Sequence, residues 1–320
     1  MAKTMAELAL LAGFDAGQTH TRCRLSDRQG RVLAEGEGSG VSHLHSATGP
    51  EKFQAALGSS LAAARQGLGP ELRQPQGPLT LAAAAIGASG IEQHSPSQAL
   101  GTRLAQELLG IETVLVGGDE STALAGAFGG GPGIVLISGT GSICVGRNGQ
   151  GQQHRCGGWG WLLDGGGSAM DIGRDGLALS LRMADGRLRE TPLKALLWQA
   201  LGVQHSHQLK ALVVDPNFGA AGFAQLAPLV GAQATRGDPQ ALAIIDRAGG
   251  ELAMLVEGVA KGLGLEQPPL CCLGGAITHL EPLQQSFQRV LAERLPGTIP
   301  QAPLGDACSG ALALARGLIS

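Results

Sequence analysis

Two short turns have the residue types that bind phosphate groups, and each follows an apolar segment that reads as a buried strand. In FDAGQTHT, Asp15 ends the strand, and Gly17, Thr19 and Thr21 shape a hairpin. In LISGTGS, residues 136–142, the strand breaks into Gly-Thr-Gly-Ser. Tight-turn N–H groups and a threonine hydroxyl can hold phosphate oxygens, and Asp15 could hold a hydrated Mg²⁺. One such turn also fits an ordinary hairpin, but two in different halves of the chain favour a pair of clamps on a polyphosphate.

Asp119 stands where the predicted strand in LVGGD meets the predicted helix in ESTALAGAF. Aspartate is a favoured N-cap, so helix capping alone would explain it. A carboxylate at the C-terminal end of a strand also faces the crevice where α/β proteins bind ligands. There it could accept a proton from an attacking hydroxyl. The local sequence leaves both interpretations open.

The segment CGGWGWLLDGGGS, residues 156–168, combines dense glycine with two of the three tryptophans. Glycine lets the backbone approach a ligand closely, and an indole face stacks on the apolar face of a sugar ring. Trp159 lies between Gly158 and Gly160, which favours a binding loop over a core anchor. Gly274 and Gly275 follow the apolar strand in PPLCCLGGAI. They fit either close approach to a flat ligand such as adenine or a turn before a helix.

Two similar runs of elements would position these residues. Residues 7–38 read as a three-stranded meander, followed by helix, strand, helix and strand up to Asp119. The pattern begins again at residues 132–142 and continues with two more strands, helices at 167–183, about 191–200, about 221–235 and 238–262, a strand and two helices. This indicates two related α/β domains with the ligand between them. We expect a first domain over 1–118, completed by a C-terminal helix at 307–320, and a second over 119–306 with a helical insertion.

Composition excludes several classes of function. The chain has 320 residues, 43% of them hydrophobic and 15% charged, with a net charge of −3 and no basic cluster. We therefore expect a small-molecule partner and neither nucleic acid nor a membrane surface. Six cysteines without CxxC or zinc-like spacing fit buried hydrophobes in a reducing cytosol. The apolar run at the N-terminus reads as a strand rather than a signal peptide. A cytoplasmic protein is expected.

Together, the segments FDAGQTHT, IGASG, GGDESTALAGAF, ISGTGSICVG, CGGWGWLL, GSAMDIG, FAQLAPLV and CLGGAI resemble the BadF/BadG/BcrA/BcrD ATPase family. Within it, the branch of N-acetylglucosamine and glucosamine kinases is the best match. The resemblance runs in order over nearly the whole chain, and GTGS…GGWG…GS is its most specific part. It implies two ribonuclease-H-like domains, of the actin and hexokinase type, around a central cleft. It further implies ATP and Mg²⁺ as cofactors, phosphorylation of an amino sugar at O6 and a homodimer.

The resemblance also implies a role for each motif. The positions matched to ATP are Asp15, Gly17, Gln18, Thr19, Gly139, Thr140, Gly141, Gly274 and Gly275, with Asp15 near magnesium. The positions matched to the sugar are Ser89, Gly90, Asp119, Ser142, Gly158, Trp159, Gly160 and Asp164. Among these, Asp119 matches the general base that activates the sugar 6-hydroxyl.

The chain departs from the family pattern at two motifs. The first phosphate loop of the family usually reads D-G-G-G-T-K-T, whereas this chain has Gln18 and His20. After the tryptophan loop the family usually carries G/S-D-E-G-S, whereas residues 164–168 read DGGGS. Both acidic residues of that motif are absent, and Asp164 stands one position earlier. Polar sugar-side positions of the family also fall at Leu44 and Ile143. The sugar is therefore open between N-acetylglucosamine, which we favour, and glucosamine.

Two other functions compete with the kinase. An ATPase that activates a radical dehydratase would need cysteines to hold an iron–sulfur cluster across a dimer, and no convincing exposed pair is present. A non-catalytic sugar sensor would tolerate the altered acidic motif. However, the sequence has no helix-turn-helix extension or basic surface for DNA. The kinase remains the favoured prediction.

Overall fold

The computed structural model describes residues 9–70, residue 72 and residues 80–319. Its contacts divide the chain into two units. Unit 1 comprises Met1–Gly131 and Pro303–Ser320, and unit 2 comprises Pro132–Ala302. Within the described ranges, no helix has both the length and the apolar character needed to cross a membrane. The first few residues of the predicted meander, and the start of the segment PLTLAAAAIGASG, lie outside the described residues.

Both units begin with three strands, and helices follow. The first part of unit 1 contains β1 (Leu10–Ala16), β2 (His20–Ser26), β3 (Val32–Ser39), α1 (Gly49–Gln66), β4 (Leu81–Ala88), α2 (Pro96–Leu109), β5 (Val114–Gly117) and α3 (Asp119–Phe128). Unit 2 contains β6 (Gly133–Ser138), β7 (Ser142–Arg147), β8 (Gln153–Gly157), α4 (Ala169–Ala184), α5 (Pro192–Ala200), α6 (Ser206–Val213), α7 (Gly219–Ala224), α8 (Ala227–Thr235), α9 (Pro239–Leu263), β9 (Pro269–Leu273), α10 (Gly275–His279), α11 (Glu281–Arg294) and β10 (Ile299–Pro300). The chain closes with α12 (Ala307–Gly317), which lies in unit 1.

The two units have the same sheet topology. In unit 1 the strand order is β3-β2-β1-β4-β5, and in unit 2 it is β10-β9-β6-β7-β8. In each sheet the first three strands form an antiparallel meander, the fourth strand pairs parallel with the first, and the fifth pairs parallel with the fourth. The prediction of two related α/β domains, each begun by a meander, is confirmed by this topology.

The sheet of unit 1 is buried on both faces by the helices that pack on each side. Successive residues of β1 point to opposite sides and so enter different cores. Ala12 and Phe14 belong to the larger core beneath α1 and α2, whereas Leu11 packs with Ala311 and Ala315 of α12. Small residues in β4, which reads LAAAAIGA, allow helices to approach this sheet closely. The ends of β1 and β4 are therefore held between two packed layers.

Helix α3 belongs to unit 1, although the sequence predicts a boundary after residue 118. Nearly all of α3 is buried, and it packs mainly on α12 and also on β4. Gly126 and Gly310 lie in close backbone contact between α3 and α12. Helix α3 ends at Gly129, which has a left-handed conformation. The chain then passes into unit 2 between Gly131 and Pro132.

Most helices of unit 2 agree with the periodicity, but two differences have a physical origin. The predicted helix over 221–235 is two helices, α7 and α8, and Pro228 stands in the first turn of α8, where a missing N–H is tolerated. The other difference is α6, which the sequence, as with the short elements α10 and β10, does not predict. It buries Leu209 alone, so its apolar pattern is too weak to reveal it.

Candidate active site

The predicted phosphate-binding turn of unit 1 lies at the carboxyl ends of the parallel strands β1, β4 and β5. Gly17, Gln18 and Thr19 connect β1 to β2, and the Gly17 N–H donates to the His20 carbonyl at 3.0 Å. The Gln18 and Thr19 residues are exposed. The Ser89 N–H, at the end of β4, donates to the Ala16 carbonyl at 3.0 Å. The structure therefore joins the predicted phosphate turn and the predicted sugar-side strand end at one edge of the sheet.

Asp15 carries an ion pair that the sequence motifs did not indicate. Its Oδ2 accepts a hydrogen bond from Arg22 Nη2 at 2.8 Å. The two residues are direct partners in the β1–β2 register. Counting back from the hairpin turn would have revealed this pair, because opposite-strand neighbours share one face. Arg22 thus forms an ion pair with one oxygen of the carboxylate that we expect to bind magnesium.

Asp119 is the first residue of α3 and does not cap it. The N-cap is Gly118, so the capping interpretation of Asp119 is wrong. Burial raises the pKa of the Asp119 carboxyl, and the negative charge of Asp15 raises it further, while hydrogen bonds from Glu120 and the backbone act in the opposite direction. The two carboxylates are thus close enough to interact, as expected of groups that share one site.

The other sugar-side positions of unit 1 differ in their surroundings. Gly90 has a φ of +79°, and a Cβ there would lie 2.7 Å from Nδ1 of His43. The sequence did not indicate His43. Leu44 is buried in the core and packs near Gly101, so its side chain contributes to stability rather than to a polar contact.

In unit 2, the turn at Gly139, Thr140 and Gly141 is locked to the start of α4. The Gly139 N–H donates to the Gly141 carbonyl at 2.9 Å. The carbonyls of Gly139 and Thr140 accept the N–H groups of Ala169 and Met170 at 2.9 and 3.3 Å. Thr140 and Gly141 are exposed. The turn is consequently rigid, yet open to a ligand.

Two serine hydroxyls join this turn to the loop over residues 164–168. Ser138 Oγ donates to the Gly167 carbonyl, and Ser142 Oγ donates to the Gly166 carbonyl, both at 2.9 Å. The hydroxyl of Ser142, a predicted sugar-side residue, therefore already donates its hydrogen bond to the loop. The predicted phosphate turn and the altered DGGGS stretch form one structural unit.

Gly274 and Gly275 lie beside the same turn. Gly274 has a φ of +96°, and a Cβ there would lie 2.5 Å from the Ser138 carbonyl oxygen. A Cβ on Gly139 would lie 4.0 Å from the Gly275 nitrogen. The close approach of the end of β9 to the end of β6 thus requires glycine at position 274, whereas a Cβ on Gly275 would lie 3.8 Å from His279 Cδ2 and meet no clash.

The tryptophan loop presents Trp159 to solvent. Trp159 is 60% exposed, and the Arg155 guanidinium lies over its ring at 5.0 Å. Arg155 Nη2 also donates to the Gly158 carbonyl at 2.7 Å, which fixes the loop from β8. Trp198, by contrast, is buried and donates to Ser180 Oγ at 2.9 Å. The prediction that Trp159 is not a core anchor agrees with its exposure.

Asp164 is tied to the same loop by its own backbone. Its N–H donates to the Gly160 carbonyl at 2.8 Å, and its Oδ1 accepts the Gly165 N–H at 2.8 Å. One carboxylate oxygen is therefore engaged, and the residue is half-buried. The structure brings Gly158, Trp159, Gly160 and Asp164 together in one short loop.

Asp171 holds the 164–168 loop from beneath, and the motifs did not identify it. Its side chain is 2% exposed and pairs with Arg174 at 2.6 Å and with Arg247 at 2.8 Å. Oδ2 also accepts the Gly167 N–H at 3.0 Å. Its spacing from the N-cap Ser168 is the Ser-x-x-acid pattern of a helix start, a signal that was available in the sequence.

The donor groups fit a weakly ligated magnesium ion better than a metal cluster. Among the described residues, no group of three or more His, Cys, Asp or Glu side chains could hold a metal ion. Mg²⁺ keeps several waters and needs one or two carboxylates together with substrate phosphates. Asp15 offers one such carboxylate in unit 1, although Arg22 already donates a hydrogen bond to its Oδ2.

The cysteines do not favour an iron–sulfur cluster. All six are free, and four are buried. The two partly exposed ones, Cys156 and Cys272, lie on β8 and β9, which β6 and β7 separate in the sheet. Burial raises the pKa of Cys272 to about 12, and the charge of Cys271 adds to this, so the residue is a poor thiolate ligand.

Comparison with known proteins agrees with this arrangement. The sequence model of the BadF/BadG/BcrA/BcrD ATPase family matches residues 12–315. An N-acetylmuramic acid/N-acetylglucosamine kinase of Clostridium acetobutylicum is 28% identical over 95% of this chain and 97% of its own. An N-acetyl-D-glucosamine kinase of Dictyostelium discoideum is 30% identical over 96% of this chain and 97% of its own.

A solved structure shares the whole fold. It is a candidate N-acetylglucosamine kinase from Chromobacterium violaceum, 30% identical, which superposes with a TM-score of 0.77 over 96% of this chain and 99% of that one. Together with the repeated five-stranded sheets, this similarity confirms the prediction of two ribonuclease-H-like domains of the ATPase type.

Proposed function

The chain belongs to the BadF/BadG/BcrA/BcrD ATPase family, and from this premise we propose that it is an ATP-dependent kinase of an amino sugar, N-acetylglucosamine. The observation that carries the proposal is the repeated turn. One Gly-Thr turn follows β1 and another follows β6, and these are the equivalent strands of two sheets with the same topology. The names of the two curated relatives support the choice of sugar.

In this proposal, each of the two turns binds phosphate groups of ATP. The exposed residues Thr19 and Thr140 offer hydroxyls, and turn amides offer N–H groups to anionic oxygens. Gly274 and Gly275 leave room for the adenosine. Asp15 would hold Mg²⁺, which neutralises phosphate charge when bound. Arg22 orients the Asp15 carboxylate by engaging its Oδ2.

Asp119 acts as the general base in this proposal. As the sugar O6 attacks the γ-phosphorus, the new O–P bond forms and the bond to the β-phosphate oxygen breaks. The hydroxyl proton passes to the Asp119 carboxylate, and ADP leaves. Burial and the Asp15 charge raise the pKa of Asp119, which increases its basicity for this transfer. Most of the remaining barrier reduction comes from positioning and charge neutralisation.

The sugar lies, in this proposal, against the tryptophan loop. The exposed ring of Trp159 stacks on the apolar face of the hexosamine, while Gly158 and Gly160 leave their backbone groups accessible. Ser89, Gly90 and Asp164 are the other sugar-side positions. Glucosamine is the competing acceptor, and the name of the Clostridium relative adds N-acetylmuramic acid as a third.

A coupled assay of ADP release tests the proposal. Purified protein is given ATP, Mg²⁺ and, in turn, N-acetylglucosamine, glucosamine, N-acetylmuramic acid, N-acetylmannosamine and glucose. We expect the highest kcat/KM with N-acetylglucosamine. The variant Asp119→Asn should lose about 10²–10⁴-fold in kcat, because only the base is removed, while ATP affinity stays near that of the wild type.

The matched control is Glu107→Gln, which neutralises an exposed carboxylate of α2 that pairs with Arg103 at 3.9 Å. It should keep wild-type turnover. Absence of turnover with every sugar would refute the kinase function. Equal turnover by the wild type and Asp119→Asn would refute the assigned base alone.

A further inference from the structure

Glu251 of α9 brings a carboxylate against the 164–168 loop. A Cβ built on Gly166 would lie 3.0 Å from both Cγ and Oε2 of Glu251. The glutamate side chain therefore occupies the space that a side chain at position 166 would need. The same Gly166 carbonyl accepts the Ser142 hydroxyl, so this carboxylate lies within the structural unit that contains the turn and the loop.

Glu251 ends a stripe of α9 that is otherwise small or apolar. Leu255 lies over Gly157, Gly258 over the Cys156 sulfur, and Gly262 over His154. The spacing of four, three and four residues places all of them on one helix face. A charged side chain on such a contact face carries a desolvation penalty unless it has a polar partner.

The structure supplies Glu251 with no such partner among the described residues. No hydrogen bond or ion pair forms at its carboxylate there. Its basic neighbour Arg247 uses Nη2 for Asp171 and Asp175, each at 2.8 Å. Glu251 acts on Arg247 only at longer range, as one of the charges that raise the pKa of Arg247 against the lowering effect of burial. The residue is half-buried, so it is partly accessible to solvent.

We propose that the Glu251 carboxylate accepts a hydrogen bond from a ring hydroxyl of the hexosamine. This proposal rests on the kinase function proposed above and on the sugar-binding role of the loop. A carboxylate offers only acceptors, which suits hydroxyl groups, and charged acceptors form the stronger hydrogen bonds. Glu251 would thus replace, from a helix, the acidic side chain that residues 165 and 166 lack.

The test is the variant Glu251→Gln, which keeps the shape and removes the charge. Loss of a hydrogen bond to a charged group corresponds to about 10–100-fold in affinity. We expect the KM for N-acetylglucosamine to rise by that factor, with the KM for ATP and Tm unchanged. Glu257→Gln is the matched control, because Glu257 lies on the same helix and pairs outward with Lys261 and Arg294. It should match the wild type.

A second measurement separates contact from packing. Derivatives of N-acetylglucosamine that lack one ring hydroxyl are compared in the wild type and in Glu251→Gln. Removing the contacted hydroxyl should weaken the wild type but have little further effect on the variant. Gly166→Ala, which displaces Glu251 without removing it, should give an intermediate KM.

Several results would overturn the proposal. One is a wild-type KM for the sugar in Glu251→Gln, and another is an equal effect of every deoxy sugar in both proteins. If Glu251→Gln weakens the reaction of glucosamine alone, Glu251 contacts the ammonium group of that sugar rather than a ring hydroxyl. If no sugar is phosphorylated, binding of N-acetylglucosamine is measured calorimetrically. Binding that Glu251→Gln weakens would retain the contact and refute only the kinase function, whereas no binding would refute both.

Discussion

Replacing Asp171 by asparagine tests whether a buried ionic network holds the 164–168 loop. Asp171 Oδ2 accepts the Gly167 N–H and pairs with Arg247, while Oδ1 pairs with Arg174. Asparagine has the same shape but only one acceptor oxygen. In either orientation its amide NH₂ must therefore face at least one N–H donor that the carboxylate now satisfies.

The magnitude follows from burial. Removing one partner of a fully buried ion pair costs about 3–5 kcal/mol. Asp171 is 2% exposed, but Arg174 and Arg247 are 45% and 38% exposed, so water recovers part of that loss. Arg247 also keeps its pair with Asp175. We therefore expect a loss of about 2–3 kcal/mol, equivalent to about 5–10 °C in Tm for a cooperative unit of this size.

Thermal unfolding followed by circular dichroism measures the effect on stability. The control is Asp185→Asn, near the end of the same helix, where the pair with Arg187 is solvent-exposed and should leave Tm unchanged. At temperatures where Asp171→Asn is fully folded, the KM for the sugar should also rise, because Gly167 loses its anchor. A Tm equal to that of the wild type would refute the assigned role of the network.

Two further predictions concern the base and the tryptophan loop. Ionised Asp119 is the active form, so kcat should increase as the pH passes upward through the raised pKa of Asp119. The negative charge of Asp15 contributes to that raised pKa. Asp15→Asn should therefore move the acid limb of the kcat profile to lower pH, while also lowering kcat. An unmoved limb would contradict this coupling. Trp159→Leu should raise the KM for the sugar about 10-fold without changing Tm. The control Trp198→Leu, at a buried position, should lower Tm. If Trp159→Leu also lowers Tm, Trp159 has a structural role instead.

The sequence predicted the repeated meanders and most helices because their signals are local. Buried strands such as β1 and β6 are short apolar runs that end in Gly-Thr turns, and α9 has a long apolar periodicity that begins after its N-cap Asp238. The domain boundary was less accessible. Whether α3 packs on β4 and α12 or on unit 2 depends on contacts with Gly310, which lies far away in the chain.

The candidate site shows the same limit. Asp15, Asp119 and the two turns could be selected by residue type and by their place at strand ends. Arg22 required the strand register, and Glu251 required the packing of α9 on a loop about 85 residues earlier. No spacing rule links positions 166 and 251, because only the folded chain makes them neighbours.

This neighbourhood explains why restoring the acidic residue of the family pattern should fail unless Glu251 is removed as well. In Gly166→Glu, the new Cβ would lie 3.0 Å from the Glu251 side chain, and a second carboxylate would be forced beside the first. We expect a loss of about 1–3 kcal/mol from overpacking, with a higher KM for the sugar. Adding Glu251→Ala should restore both Tm and KM towards the wild type, since one carboxylate then fills the shared space. If the double variant is no better than Gly166→Glu alone, the two positions do not substitute for each other, and the dense glycine of the loop has another cause.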